Sequence, residues 1–523
     1  MTHEEKATSL GRDAASRQEI LAILDEKADL ERQLAWLKRQ LFSAKSERRL
    51  PHPDAAQLAL GEPLVGVPDG AEAAISVEGH TRKPARPLWE GTSDGRLRFD
   101  ASVPVQDIEV PNPDTEIYPP EAYDVVGEKI TYRLAQRPGS YLVLRFKRKV
   151  LKLKDRESFS CPAAPSAVIE KSLADVSFIA GLLIDKIRYH LPLYRQHQRL
   201  QDCGIWMSRT TLTNLVHQAA ALLEPIEVAQ RQSILESSVL AIDETPIRAG
   251  RSLAAKGKMQ SAYFWPLYGD RREVAFPFSK SRSLAAAHQI LGSYKGMLLS
   301  DGYTVYERYA EATQGLLHAQ CWSHTRRKFI EAETIEPDLS AMALEFIRAL
   351  YAHEETIRDQ KLERDAKREH RVLECKRIVD LFFLWLRDTL RDRILLPTNP
   401  FTKAAAYALE REAGLRLFLD EPDLPIDTNH LEREIRPIAV GRKNWLFCWT
   451  EVGAKYVGIV QGLIATCRLQ AVDPYVYLVD VLQRVATHPA ADVQQLTPRL
   501  WKEFFAANPM RSELDVPRQH SAG

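Results

Sequence analysis

Two short apolar runs each end on an aspartate: SVLAID (238–243) and GMLLSD (296–301). A short apolar run that stops at a polar residue reads as a strand buried on both faces of a sheet. Between the two lie the β-rich runs SAYFWPLYGD (261–270) and REVAFPFSK (272–280), then a short helical stretch, SLAAAHQIL (283–291). Three strands, a helix and a fourth strand leave few topologies open, and in an α/β sheet ligands gather where strands end. Asp243 and Asp301 are therefore expected on one edge of one sheet. Two carboxylates there repel each other unless neutralised, and a divalent cation with oxygen ligands does so.

This element order is the opening of a ribonuclease H-like fold. Residues 330–420 are mostly helical and charged, which predicts an inserted bundle. After them, DTNHLEREIRPIAVGRKNWLF (427–447) places Glu432 among Arg433, Arg436, Arg442 and Lys443. A helix there, packed beside the sheet, would supply a third carboxylate. Three acids could together hold two metal ions roughly 3.5–4 Å apart. A solvated surface helix also scatters charge like this, and a lone Asp at a strand end is usually a turn residue. The coincidence of all three acids is what singles out the site.

The rest of the chain supplies context. Residues 17–42 space Ile23, Leu30 and Leu37 by seven, and Leu34 and Leu41 likewise, with Lys27 weakening the seam. Roughly three heptads predict a leucine-zipper coiled coil and a homo-oligomer. Residues 51–100 are rich in Pro, Gly and Ala, with a basic patch in HTRKPARP (80–87). From 129 to 155 the pattern predicts a β-hairpin turning at Pro138-Gly139. Its second strand carries Arg145, Lys147, Arg148, Lys149, Lys152 and Lys154, either a ribbon for a phosphate backbone or an ordinary solvated face. Residues 173–225 read as helical. One helix ends near Gln201, Cys203-Gly204 turns, and Ser208 caps a second helix that presents Arg209, Thr210, Thr213 and Asn214. That layout suits a helix-turn-helix contacting DNA, and equally an ordinary helical hairpin.

The formal net charge is only +1, so any nucleic-acid surface must be local. The six cysteines include no C-x-x-C pair, which supports neither a disulfide framework nor a four-cysteine zinc site. With no apolar leader and no membrane-length apolar run, the expected location is the cytoplasm.

AIDETP (241–246), SDGYTVY (300–306), CWSHTRRKF (321–329) and DTNHLEREIRPIAVGRKNWLF resemble, in order, the motifs of transposases of the insertion-sequence family numbered sixty-six. The resemblance extends to RQLFSAKSERRL (39–50), HLPLYRQ (190–196) and VDPYVYLVDVLQRV (472–485), and so covers most of the chain. It implies DDE-type chemistry: metal-dependent cleavage of transposon ends and attack of the freed 3′-hydroxyl on target DNA. Asp243, Asp301 and Glu432 match the three acids, as catalytic residues and as ligands of Mg2+, with Mn2+ as an alternative. Asn429, Arg433, Arg436, Arg442, Lys443 and Asn444 match the remainder of the last motif. Glu434 falls at a variable position and reads as a surface charge or an ion-pair partner.

His318, Cys321 and His324 stand three apart, as zinc ligands or residues on one helical face can, but no fourth ligand is evident. Cys321 and His324 match a recurring block of the family and are assigned a structural or DNA-positioning role, with Arg326 and Arg327 on phosphate. Many members carry a cysteine-rich zinc module after the zipper. Here the corresponding segment has only Cys161, so no zinc is expected.

The resulting organisation is a multidomain α+β protein. It comprises a coiled coil (1–50), a flexible basic linker (51–100), a β-rich basic module without zinc ligands (101–165) and a helix-turn-helix-like DNA-binding domain (166–235). A ribonuclease H-like catalytic domain follows in two parts (236–330 and 426–475), split by a helical insertion (331–425), and a tail (476–523) completes the chain. The implied partners are DNA, a second copy of the chain and accessory proteins of the same element, with no membrane. A catalytically silent descendant that only binds DNA, or a metal-dependent nuclease without strand transfer, would share these features.

Overall fold

A computed structural model describes residues 97–99, 103–137, 139–153, 159–251, 258–393, 395–446 and 448–515. The expected coiled coil and nearly all of the expected linker lie outside the described residues.

The N-terminal module is a sheet built on a long hairpin. β1 (Val105–Val110) runs parallel to β3 (Ser140–Leu153), and β2 (Tyr123–Arg137) pairs antiparallel with β3 from Arg137 opposite Ser140. Gly139 has φ 86°, the left-handed conformation that a tight hairpin turn needs. Both faces of β3 are covered: Val143 joins the main core, and Leu142, Leu144 and Phe146 pack with Leu514. Part of the basic ribbon is spent internally. Arg145 and Lys147 both pair with Asp107, and Arg148 donates to the carbonyl of Pro162 and to Thr131. Those cations hold the Asp107 carboxyl down to about 2. Lys149 and Lys152 remain exposed.

Three helices follow: α1 (Val176–Ile187), α2 (Leu193–Asp202) and α3 (Arg209–Leu235). Asp175 and Ser208 cap α1 and α3 with side-chain oxygens on free backbone N–H groups. The α2–α3 connection is longer than a helix-turn-helix turn, because Ile205–Trp206 pairs antiparallel with Arg98–Phe99.

The chain then builds two sheets. β4 (Val239–Ile242) leads into β5 (Thr245–Arg251), β6 (Met259–Phe264), β7 (Leu267–Gly269), β8 (Val274–Ala275) and β9 (Phe278–Ser279). After α4 (Leu284–Leu291) come β10 (Met297–Ser300), α5 (Thr304–Ala312) and β11 (Leu317–Gln320). The five-stranded sheet has the order β8-β7-β4-β10-β11, antiparallel on the β8–β7–β4 side and parallel from β4 to β11. The second sheet has the order β9-β6-β5. Each run expected as one strand, 261–270 and 272–280, is thus divided between two sheets. Pro266 and Pro277 sit at the breaks, where a residue without an N–H cannot continue a ladder. The Trp265 N–H donates across the bend to the Pro277 carbonyl at 2.9 Å.

The helical insertion is anchored by aromatics and one buried cation. α6 (Trp322–Ala332), α7 (Pro337–Asp359), α8 (Lys376–Asp392) and α9 (Pro400–Glu410) form its frame. The Trp322 ring meets Phe382, Phe383 and Phe418, and its indole N–H donates to the Leu415 carbonyl. Arg371, fully buried, pairs with Glu354 and donates to the carbonyls of Phe418, Glu421 and Leu424. The expected boundary at 330/331 falls inside α6.

α10 (Asn429–Trp445) and α11 (Glu451–Leu469) complete the sheet's surroundings. α11 approaches the sheet closely at Gly458, where a Cβ would lie 2.3 Å from the Phe276 carbonyl oxygen. Thr466 and Gln230 hydrogen-bond the backbone of Val274, covering the edge strand.

The segment expected as a tail is folded back instead, through α12 (Pro474–Arg484) and α13 (Pro498–Phe504), and the expected 475/476 boundary cuts α12. Asp480, fully buried, accepts from Arg484, from the Trp501 indole and from the Met510 N–H. Ser512 donates to Asp175, the α1 cap. One hydrophobic core runs from Leu97 to Trp501 through the module, helices, sheet and insertion. No described helix is long and apolar enough to cross a membrane.

Candidate active site

Strands β4 and β10 are adjacent and parallel, with Leu299 opposite Ala241. Two residues further on, Asp301 and Asp243 therefore leave the same sheet edge side by side. Asp243 accepts from the Glu244 N–H at 2.7 Å, and Asp301 from the Tyr303 N–H at 3.0 Å. Burial first, then the charges of Asp301, Glu244 and Glu432, push the Asp243 carboxyl up to about 8. The three acids thus share one electrostatic neighbourhood.

Glu432 reaches this edge from the first turn of α10, and that turn is fixed from two sides. The N–H and hydroxyl of buried Thr428 both donate to the Cys321 sulfur at 3.3 Å. Asp427 accepts from the Asn429 N–H and side-chain amide and from the hydroxyl of Tyr351, on α7 of the insertion. Ser323 donates to the Asn429 side-chain oxygen. Burial raises the Cys321 thiol to about 11, so it stays protonated as a packing and accepting group.

Around Glu432, His324 Nε2 lies at 3.7 Å and the Arg327 guanidinium at 3.8 Å. Burial lowers the His324 pKa, against the pull of Asp301 and Glu432. Glu432 Oε1 and His324 Nδ1 are buried without a hydrogen-bond partner among the described residues. An orphaned carboxylate oxygen beside two further acids is a donor set suited to a hard divalent cation. As placed, no three His, Cys, Asp or Glu side chains among the described residues stand close enough to enclose an ion. The chemistry of the set fits a metal; side-chain closure would have to complete it.

The His318, Cys321 and His324 triplet does not share one helical face. His318 ends its ring on Ser300 at 2.9 Å from within β11, Cys321 precedes α6, and His324 lies on it facing Glu432. Arg326, Arg327, Arg433, Arg436, Lys443 and Asn444 are exposed. Arg442 is half-buried and donates to the Pro246 carbonyl, tying α10 to β5. Glu434 is not a surface charge: it is buried, 4.0 Å from Arg468, and burial raises its pKa. Arg209 and Asn214 are exposed near the start of α3, where Arg209 lies over the Tyr194 ring. They line a cleft shared with Trp445 and Trp449.

Sequence reasoning missed Glu244. Its carboxylate accepts from the fully buried Tyr306 hydroxyl at 2.6 Å, with Arg282 at 3.8 Å. The signal was available: residue 244 follows Asp243 on an extended segment, so its side chain faces the opposite side, where the SDGYTVY helix places Tyr306.

Acids at the edge of a mixed sheet, a buttressed acidic helix and exposed arginines belong to the class of multidomain α+β transposases. Comparison with known families gives the same class. The model of the transposase IS66 family matches residues 171–456, more than half of the chain. The model of the IS66 C-terminal element matches 462–499, and that described as transposase C of IS166 homeodomain matches 29–108. The chain belongs to the IS66 transposase family. Among curated relatives, the uncharacterized protein y4hP of Sinorhizobium fredii is 29% identical, covering 92% of this chain and 90% of the relative. The uncharacterized protein y4jD of the same organism is 28% identical, covering 91% and 94%.

Proposed function

We propose that this protein is a catalytically competent DDE-type DNA transposase with a ribonuclease H-like core. The observation carrying this reading is the in-register exit of Asp243 and Asp301 from adjacent parallel strands, in the electrostatic neighbourhood of a Glu432 whose Oε1 has no hydrogen-bond partner among the described residues. The sheet order, with two strands antiparallel on one side of β4 and two parallel on the other, supports the ribonuclease H-like assignment. Asp243, Asp301 and Glu432 would hold Mg2+, or Mn2+. Bound there, the cation supplies positive charge to the attacking and leaving oxygens of an in-line displacement at phosphorus.

The chain's own groups set up that displacement. As the cation binds, Asp243 would release to solvent the proton that burial and its acidic neighbours hold on it. Cys321 and Asp427, through Thr428 and Asn429, orient the turn that aims Glu432. Arg327, Arg433, Arg436 and Lys443 grip DNA phosphates, arginine by its fork and lysine as a point charge. Homo-oligomerisation through residues 17–42 would bring two ends together, and accessory proteins of the same element remain part of this reading.

The test is a cleavage and strand-transfer assay on the DNA flanking the gene, with Mg2+, comparing wild type with Glu432→Gln. Products from wild type alone, with equal DNA binding by both, support the reading. Equal products from Glu432→Gln would remove Glu432 from the chemistry. Cleavage without joined product would leave a nuclease.

A further inference from the structure

A second feature lies away from the carboxylates. Helices α1, α2 and α3 face the end of α10 and the start of α11 across a cleft of about 640 Å3. That size falls within the ~300–1,000 Å3 typical of sites for small ligands. Leu446 stops α10 in the left-handed conformation, φ 58°, and Ala249 bridges to Cys448 just beyond. This turn puts Trp445 and Trp449 on the same wall. A Cβ on Gly441 would lie 2.6 Å from the Trp445 indole nitrogen, so the glycine lets that ring fold against the helix.

The chemistry of the lining is specific. Lys186 lies within it, half-buried, and no carboxylate stands within ion-pair distance among the described residues. The neighbouring Cys448 thiol is no counter-charge, because burial raises it to about 11. A half-buried ammonium with no carboxylate beside it is placed to take an anion. Two rings line the cleft with it: Trp449, 63% exposed and with the Arg251 guanidinium 5.6 Å from its ring centroid, and Tyr456, which meets His217 edge-on at 5.4 Å. Arg209, on the rim, adds a second cation.

We propose that this cleft receives one unpaired nucleotide of the bound DNA, its base against Trp449 and Tyr456 and its phosphate on Lys186 and Arg209. A paired, stacked base cannot enter such a site, so the occupant is a nucleotide swung out of the duplex. The inference rests on the DNA-transposase reading and adds to it a site for one base.

The test measures affinities of the full chain for duplexes copied from the gene's flanking DNA. One duplex is fully paired; the others each carry a single unpaired nucleotide at a different position. Stacking of one base on an aromatic side chain corresponds to a roughly 5- to 150-fold change in affinity. Wild type should prefer at least one unpaired duplex by that factor. Trp449→Ala, at an exposed position, and Lys186→Met should each remove the preference while leaving affinity for the paired duplex in place. A wild type without the preference, or a preference that survives both substitutions, overturns the cleft assignment alone. Failure to bind any of the duplexes overturns the transposase reading, and the cleft assignment with it.

Discussion

Asp243→Asn should stabilise the metal-free protein, and increasingly so as pH rises. The Asp243 carboxyl stands at about 8 in the fold against 3.8 for the free group, chiefly through burial and then through Asp301. Between those values the unfolded chain has lost a proton that the folded chain keeps. Stability therefore falls as pH rises from 4 to 8 and levels off above. At ~1.4 kcal/mol per pH unit, the ceiling at pH 7 is roughly 4 kcal/mol. Asp243 is partly solvated and its neighbours can relax, so about 1–3 kcal/mol is the expected share. Asparagine keeps the shape and is neutral in both states, so it escapes this penalty. Thermal melts in EDTA at pH 4.5 and pH 8 would read it as a gain in Tm of about 2–4 °C per kcal/mol at most, larger at pH 8. Adding Mg2+ at pH 8 should raise the wild-type Tm and leave Asp243→Asn nearly unmoved. A gain independent of pH, or a loss of stability at pH 8, would refute the argument that burial beside Asp301 holds a proton on Asp243 in the fold.

Arg433→Ala should weaken binding to every DNA sequence alike and lower the slope of log K against log salt by about 0.9, measured by fluorescence titration. Cys321→Ala strands the buried N–H of Thr428 and should cost about 1–3 kcal/mol in denaturant unfolding, while Cys321→Ser restores an acceptor and most of that loss. Arg371→Met leaves Glu354 without its partner and three carbonyls without a donor, so a loss of about 3–5 kcal/mol is expected by the same measurement.

What the sequence made legible was local. SVLAID and GMLLSD declare their strands because an apolar run and a terminal acid are contiguous, and the parallel register then follows from the crossover between them. Ser208 announces a helix start for the same reason: cap and helix are neighbours in the chain. Two of the basic ribbon's six cations, Arg145 and Lys147, are taken up by Asp107, which lies on a different strand and so is invisible from the ribbon's own sequence. The divided runs at Pro266 and Pro277 were visible as prolines, yet the choice between a kinked strand and two sheets depends on partners elsewhere.

The least legible part is also what orients the third acid. Glu432 was readable from its motif, but the groups that fix its turn come from far away: Cys321 lies 107 residues before Thr428, and Tyr351 lies 76 before Asp427. Cys321 stands out through its motif but its partner Thr428 does not, and Tyr351, in an amphipathic helix, looks like ordinary core. Their pairings join segments that meet only in the folded chain, where Trp322 and Phe329 pack α6 against the aromatics of α8 and α9. The insertion is therefore more than a spacer between catalytic halves. Its Tyr351 hydroxyl, with Asn429, takes up the Asp427 carboxylate that sits at the entrance to α10, while Arg371 locks the chain leading there at Phe418, Glu421 and Leu424. A change inside the insertion, far in sequence from every acid, can thus reach the site through the angle at which α10 presents Glu432.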